Sequence, residues 1–140
     1  MSFTVVHRAF EVRTSGPGTY ELTDAMALAL RASGLTRGMG TVFCPHTSCS
    51  LVMMENASPE ARRDLQQYLD RLVPPDPSFE HALEGKDDMP SHIKMALTRT
   101  SESVPFEGGR LMLGTWQGIY LWEHRTAAHR RTVTFSFLGE

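Results

Sequence analysis

The sequence is poor in the features that define several special classes of protein. Only two of its 140 residues are cysteines, which is too few for a disulfide scaffold, so we expect a reducing, cytoplasmic location. Its 14 Lys and Arg residues are outnumbered by 16 Asp and Glu residues, so no overall positive charge favours nucleic acid or an anionic membrane. Apolar runs such as 50–54 are too short to span a bilayer, and residues 1–7 do not resemble a signal peptide. We therefore expect neither nucleic acid nor membrane as a partner.

The chain also lacks internal repeats, low-complexity runs and long linkers, so we expect a single domain over residues 1–140. Alternating apolar residues predict strands at 3–13, 114–124 and 132–137, the last with Val133, Phe135 and Phe137 facing inward. The Glu-Gly-Gly-Arg string at 107–110 predicts a hairpin turn. Two β-prone pieces, 41–44 and 50–54, fit a pair of strands or one long bent strand equally well.

Helical patterns are found at three places. Residues 25–33 follow a possible N-cap at Thr23 or Asp24 and precede Gly34, and we expect this almost wholly apolar helix to be covered on most sides. A second helix begins with Ser58 as cap and Pro59 as first residue, with an apolar stripe at Ala61, Leu65, Tyr68, Leu69 and Leu72. A short third helix follows Pro90. These elements predict an α+β fold, a mostly antiparallel β-sheet packed with about three helices.

Histidine is unusually informative here, since most of the six histidines lie beside other polar residues. His46 lies between Cys44 and Cys49, next to two hydroxyl side chains that could hold an anionic oxygen. The alternative is a structural histidine at a strand end. The cysteine spacing is only loosely zinc-like, and five residues along a strand would put the two side chains on opposite faces. We expect the cysteines to be small buried side chains.

The segment 81–92 contains two histidines, His81 and His92, together with three acidic side chains at Glu84, Asp87 and Asp88. Such loops are often simply solvated, but this one lies just before a helix. Asp88 is either an N-cap, a general base or a group that orients a ligating imidazole. His92 falls in the first turn, where the helix dipole disfavours its protonation and keeps it available as a ligand.

A third candidate region is the strand at 116–125. Alternation places Gln117, Ile119, Leu121 and Glu123 on one face and the aromatic side chains, with His124, on the other. The aromatic residues suit a core or an interface. His124 at the strand end, beside Glu123 and Arg125, suits a ligand or anion site. Three imidazoles from separate segments, those of His46, His92 and His124, would form a catalytic divalent-metal site if they converge.

Four strings in this order resemble the YjbQ-like family, which is also labelled "secondary thiamine-phosphate synthase enzyme": 46–51, 55–56, 84–94 and 113–125. The resemblance covers nearly the whole chain. It implies an α+β fold around an antiparallel sheet, usually a homotrimer, and a low thiamine-phosphate synthase activity. It also implies a pocket that contains His46, His92 and His124, with Asp88 and Glu84 nearby. The chain departs from the family at Cys49 and Ser91, where alanine is common.

Taken together, residues and resemblance predict an enzyme that joins a pyrimidine diphosphate to a thiazole phosphate. In this interpretation the metal ligands are His46, His92 and His124, and Asp88 acts as acid/base or orienting group with support from Glu84. The phosphate or another small anion would contact Thr47, Ser48, Lys94, Gln117 and Arg125. Three imidazoles suit zinc or another transition metal better than magnesium, which favours a metal-assisted hydrolase as the alternative. A non-catalytic metal- or anion-binding homotrimer is the second alternative.

Overall fold

The computed structural model describes residues 2–140 and shows an α+β fold of eight strands and three helices. The strands are β1 (Thr4–Thr14), β2 (Gly18–Glu21), β3 (Gly38–Phe43), β4 (Cys49–Glu55), β5 (Ser101–Glu107), β6 (Arg110–Leu111), β7 (Gln117–Glu123) and β8 (His129–Gly139). The helices are α1 (Thr23–Ser33), α2 (Pro59–Leu72) and α3 (Asp88–Leu97). None of these helices is both long and apolar enough to cross a membrane.

The strands form two antiparallel sheets. The larger sheet has the order β1-β8-β3-β5-β6 and the smaller has the order β2-β7-β4. The pieces at 41–44 and 50–54 are thus separate strands, in different sheets. The alternation predicted for β8 is confirmed, because Val133, Phe135 and Phe137 are all buried in the main core.

The molecule has three layers, because both faces of the smaller sheet are covered. Leu51, Ile119 and Leu121 of this sheet face the larger sheet across the main core. On its other face, Trp122 packs with Leu69 and Val73 of the α2 region in a second cluster. Strand β7 is therefore buried from residue 118 onward on both faces, which simple alternation does not predict.

The helices differ from expectation in how much surface they bury. Of the α1 side chains only Met26 and Leu30 are buried and Leu28 is 60% exposed, so the prediction of cover on most sides is wrong. The helix packs against the rest of the molecule on one side only, so a single stripe of its apolar side chains is buried. Gly34 ends α1 in the left-handed conformation, as predicted.

Helix α2 begins where the sequence indicates, whereas α3 begins at Asp88, two residues before Pro90 rather than after it, and neither helix has a side-chain cap. Ser58 precedes α2 and Pro59 opens it, while the Ser58 hydroxyl donates to the carboxylate of Glu60. Of the predicted stripe Leu69 is buried, whereas Tyr68 and Leu72 are exposed. Asp88 is the first residue of α3 rather than its cap.

Cys44 and Cys49 are buried free cysteines, as expected, but they do not lie on opposite faces of one strand. Their sulfur atoms are 3.5 Å apart. The reason is that β3 ends at Phe43 and β4 starts at Cys49, so the intervening residues turn and bring the two side chains together.

A buried ion pair connects the two sheets. Glu123, at the end of β7, accepts hydrogen bonds from Nε and Nη2 of Arg131 on β8 at 2.8 and 2.5 Å. The same carboxylate accepts the hydroxyl of Thr14 on β1 at 2.7 Å, and Arg131 also donates to the Ser48 hydroxyl at 2.9 Å. These bonds lower the pKa of Glu123, although its burial alone would raise it.

We expect Arg131→Met to destabilise the protein by about 3–5 kcal/mol, because it leaves the Glu123 carboxylate buried and uncompensated. The double variant Glu123→Gln/Arg131→Met should recover at least about 1 kcal/mol of that loss, since an amide removes the buried charge. Urea unfolding of the three proteins measures both effects. An unfolding free energy of Arg131→Met within about 1 kcal/mol of the wild-type value would contradict a buried pair, because a loss that small is typical of an exposed ion pair.

Candidate metal centre

Two imidazoles and one carboxylate meet at the start of α3. Nε2 of His81 lies 2.7 Å from Oδ2 of Asp88, and Nε2 of His92 lies 3.1 Å from the same oxygen. Asp88 and His92 are four residues apart and so share one face of the helix. His81 reaches them from the segment that precedes α3. One ligand atom from each of the three residues lies within 4.8 Å of the other two. Within residues 2–140 this is the one group of three His, Cys, Asp or Glu side chains that meets this condition.

The tautomer of His92 is set by the backbone of another segment. Its Nδ1 lies 2.5 Å from the carbonyl oxygen of Thr47, which can only accept a hydrogen bond, so Nδ1 carries a proton. The lone pair of the neutral ring is then on Nε2, which faces Asp88. Nε2 of His92 and Oδ2 of Asp88 would then face each other with lone pairs 3.1 Å apart, which is repulsive. The contact is favourable when a cation lies between the two atoms, either a proton on Nε2 or a metal ion.

The carboxylate of Asp88 is almost completely buried and fully engaged. Its Oδ1 accepts Nη1 of Arg125 at 2.9 Å, while Oδ2 faces the two imidazoles. Burial alone would raise the pKa of Asp88, but the bond from His81 and the charges of His92 and Arg125 lower it below its usual value. Asp88 is therefore an anion at neutral pH.

Arg125 also fixes the segment that precedes α3. Its Nε donates to Oδ2 of Asp87 at 2.8 Å, and Nη2 donates to the carbonyl oxygen of Glu84 at 3.0 Å. Asp87 also accepts the backbone N–H of Thr126. Burial would raise the pKa of Asp87, yet these bonds lower it to about 2. Glu84, predicted as a supporting carboxylate, reaches Arg125 through its backbone carbonyl.

Arg125 is held in turn by Glu123. The Oε2 atom of Glu123 accepts the backbone N–H groups of His124 and Arg125 at 3.1 and 3.2 Å. The sheet-bridging carboxylate thus ends β7 and directs the next residues toward the centre.

His46, the first histidine of the predicted metal triad, lies apart from this group. Its Nε2 lies 2.9 Å from the backbone nitrogen of Thr132 on β8 and 3.1 Å from the carbonyl oxygen of the same residue, so the backbone engages this nitrogen in either tautomer. Burial and the charge of Arg131 lower the pKa of His46, which keeps the ring neutral.

His124, the third predicted ligand, is 3% exposed and lies behind the smaller sheet rather than at the centre. Its Nε2 is 2.8 Å from the Ser50 hydroxyl, which contacts Thr98 Oγ1 at 2.6 Å, and Thr98 lies 2.8 Å from the carbonyl oxygen of Lys94. Thr98 donates to Ser50, and the Ser50 hydroxyl contacts the ring of His124. Nδ1 of His124 has no hydrogen-bond partner among residues 2–140.

The structure thus does not bring His46, His92 and His124 together within one chain. Of the three, only His92 belongs to the cluster, and His81, left undecided by the sequence, takes a place in it. The signal for His81 was the density of histidine and acidic residues at 81–92. The sequence could not show that residues seven positions apart, His81 and Asp88, fold back into contact.

The predicted anion-binding side chains also have internal partners. The Ser48 hydroxyl accepts a bond from Arg131, Lys94 donates to Asp70 at 2.6 Å, and the amide oxygen of Gln117 accepts the backbone N–H of Gly114 at 2.8 Å. Thr47 contributes its carbonyl to His92. Of this set, Arg125 alone contacts a residue of the cluster with its side chain.

A cavity of about 350 Å³ opens beside the imidazole of His81. It is mostly apolar, with one cationic and one anionic side chain, those of Lys86 and Asp76. The other lining residues are Pro75, Pro77, Phe79, Ala82, Gly85 and Met89. The cavity provides room for a small molecule next to the cluster.

Comparison with known proteins gives a consistent result. Residues 8–140 match the family described as "UPF0047 protein YjbQ-like". The UPF0047 protein sll1880 of Synechocystis sp. is 45% identical over 130 residues, covering 92% of this chain and 88% of its own. The UPF0047 protein YjbQ of Escherichia coli O157:H7 is 43% identical over 103 residues, covering 74% and 75%.

Solved structures agree on the fold. A YjbQ/UPF0047 family protein from Clostridium acetobutylicum, 34% identical, superposes with a TM-score of 0.86 over 93% of this chain and 98% of that one. A protein of unknown function from Sulfolobus solfataricus superposes with a TM-score of 0.91 over 99% and 100%; at 24% identity it supports the fold alone.

We expect His124 to stay neutral in the folded protein well below pH 6, because burial and the charge of Lys94 lower its pKa to about 3. Below its ordinary pKa of 6.5 the unfolded chain binds a proton that the folded chain does not, so acid should destabilise the fold down to about pH 3. NMR of the ring nitrogens from pH 8 to 4.5 checks this, with His124→Gln identifying the signal. A midpoint near pH 6 for that ring would contradict the assignment.

Proposed function

The chain belongs to the YjbQ-like UPF0047 family, and on that basis we propose that it is a metal-dependent enzyme acting on a small phosphorylated molecule. The observation that carries the proposal is the cluster of His81, Asp88 and His92. Two imidazole nitrogens and one carboxylate oxygen are the ligands of several catalytic zinc sites, which leave a further position for water or substrate.

The donor set fits a transition metal. His92 is oriented by the Thr47 carbonyl and Asp88 by Arg125, which are the supporting contacts that ligating side chains require. Two nitrogen ligands favour zinc or another transition metal over magnesium, which prefers oxygen. A bound ion of this kind would polarise a phosphoryl oxygen or activate a water molecule.

Charge around the cluster supports an anionic substrate. With both imidazoles neutral, the form that ligates a metal, Asp87 and Asp88 carry two negative charges and Arg125 one positive charge, so the group is one unit negative and attracts a divalent cation. With that cation the sum becomes one unit positive. On the wall of the adjoining cavity Lys86 could bind a phosphate group, and Asp76 on the same wall balances its charge, so the positive sum comes from the ion itself.

The resemblance favours one reaction, the joining of a pyrimidine diphosphate to a thiazole phosphate with release of pyrophosphate. The cavity beside His81 would position both partners while Asp88 and His92 hold the ion. The ligand set supports a metal-assisted hydrolase as the second candidate, because two imidazoles and a carboxylate are typical of zinc hydrolases. A metal-binding protein without turnover is the third outcome.

A homotrimer in the cytoplasm completes the proposal. The outer face of the larger sheet has a row of uncharged exposed side chains across four strands, Val5, Leu138, Met39 and Pro105. Such a surface suits contact with another copy of the chain. Light scattering should give the mass of three chains, and the mass of one chain would refute the assembly.

Metal binding is the first test. We expect His81→Ala, His92→Ala and Asp88→Asn each to weaken zinc binding by about 100-fold or more, because each removes one of three ligands. Glu80→Gln, which neutralises an exposed carboxylate of the same segment, is the matched control. Competition with a chromophoric chelator measures the affinities.

His46→Ala distinguishes the structural cluster from the triad predicted from sequence. We expect His46→Ala to weaken zinc binding by less than about tenfold, because Nε2 of His46 is already engaged by the backbone of Thr132. If His46→Ala abolished zinc binding while His81→Ala did not, the proposed centre would be wrong.

Turnover is the second test. Zinc-loaded protein is incubated with the pyrimidine diphosphate and thiazole phosphate, and separately with a panel of phosphate esters. We expect a product that is absent in His92→Ala and present in Glu80→Gln. Thiamine phosphate would support the synthase, phosphate release alone the hydrolase. No turnover by protein that binds zinc would refute an enzyme and leave a binding protein.

A further inference from the structure

Cys44 and Cys49 form a thiol pair that the metal centre does not use directly. Their sulfur atoms are 3.5 Å apart, and both residues are about 1% exposed or less. Cys44 is held by its backbone N–H, which donates to the carbonyl oxygen of Thr100 at 2.8 Å, and Cys49 begins β4. The two cysteines therefore lie at the fixed ends of the short segment 44–49, which connects one sheet with the other.

The two thiols are chemically unequal. Either thiol can donate across the sulfur–sulfur contact. A bond donated by Cys49 lowers the pKa of Cys44 against the opposing effect of burial, and the nearby charge of Arg131 acts in the same direction as the bond. The same bond, together with burial, raises the pKa of Cys49. Cys44 is thus the sulfur that ionises first, and Cys49 is positioned as its partner.

We propose that Cys44 and Cys49 are a redox-sensitive pair that hydrogen peroxide converts to an intramolecular disulfide. The Cys44 thiolate attacks one peroxide oxygen, the O–O bond breaks, and a sulfenic acid and hydroxide form. Cys49 then attacks the sulfur of Cys44, the S–O bond breaks, and the second oxygen leaves as water. In total two thiols and one peroxide give one disulfide and two water molecules.

Burial determines which oxidants can react. Because both thiols are buried, a small neutral oxidant such as hydrogen peroxide reaches them more readily than a bulky disulfide reagent. In a reducing compartment such a bond would be transient, as is usual for regulatory disulfides.

The segment 44–49 also connects this pair to the metal centre. Thr47 lies within it, and its carbonyl oxygen accepts the His92 Nδ1 proton at 2.5 Å. Disulfide formation shortens the sulfur separation from 3.5 Å to about 2.05 Å, so the residues between must shift. Oxidation should therefore disturb the contact that orients His92. This coupling rests on the proposed metal site, whereas formation of the disulfide does not.

The test compares wild type with Cys49→Ala, which places a small apolar side chain at a buried position. Both full-length proteins are treated with hydrogen peroxide, alkylated under denaturing conditions and weighed by mass spectrometry. We expect wild type to lose about 2 Da and to resist alkylation at both cysteines until a reductant is added. Cys49→Ala should show no such loss. It also controls for methionine oxidation, which occurs in both proteins.

Zinc affinity is then measured on reduced and oxidised protein. We expect about tenfold weaker binding after oxidation of wild type and no change in treated Cys49→Ala. Sulfinic acid at Cys44 without a disulfide, or a disulfide only between molecules, would overturn the thiol pair even if zinc binds normally. An intramolecular disulfide with unchanged zinc affinity would overturn the coupling alone. Absence of zinc binding in reduced wild type would refute the proposed centre and leave the disulfide result valid.

Discussion

The buried pair of Glu123 and Arg131 is the interaction on which the rest of the structure depends. It joins the end of β7 in the smaller sheet to β8 in the larger one, where both faces of β7 are covered and water is excluded. Burying either charge without its partner costs several kcal/mol of free energy, about 3–5 when one partner is removed. Because of this cost, the pair forms only when the two sheets are correctly placed relative to each other. The pair therefore determines the position of one sheet relative to the other as well as neutralising two charges.

The consequences of this pair reach the candidate metal centre through two short segments. Glu123 accepts the N–H groups that follow β7 and so directs Arg125 toward Asp87 and Asp88. Arg131 donates to Ser48 in the segment whose Thr47 carbonyl orients His92. Both supports of the cluster, one acting on the carboxylate and one on an imidazole, thus originate from the same ion pair. Preorganisation of this kind is what a ligand set needs to bind one metal tightly.

Sequence reasoning captured the local parts of this arrangement. The inward alternation of β8, the left-handed Gly34 and the start of α2 at Pro59 depend on period or on backbone preference, both of which are visible in the residues themselves. The burial of β7 on both faces was not visible, because it arises from packing of α2 and α3 against a sheet that also faces another sheet.

The candidate site was predictable only in part, for the same reason. Asp88 and His92 share one turn of helix, so their association follows from spacing. The role of His81 depends on the path of a loop, and the exclusion of His46 depends on a backbone N–H that is 86 positions away. The sequence shows which side chains could ligate a metal. Which of them are already engaged in hydrogen bonds to other parts of the chain depends on the tertiary fold.

The central claim is that His81, Asp88 and His92 bind one metal ion. Anomalous diffraction from crystals of the zinc-loaded protein, recorded above and below the zinc absorption edge, tests it most directly. The predicted result is a single strong peak about 2.0–2.2 Å from Nε2 of His81, Nε2 of His92 and a carboxylate oxygen of Asp88. A peak bound instead by His46 and His124, or no peak at the start of α3, would contradict the claim.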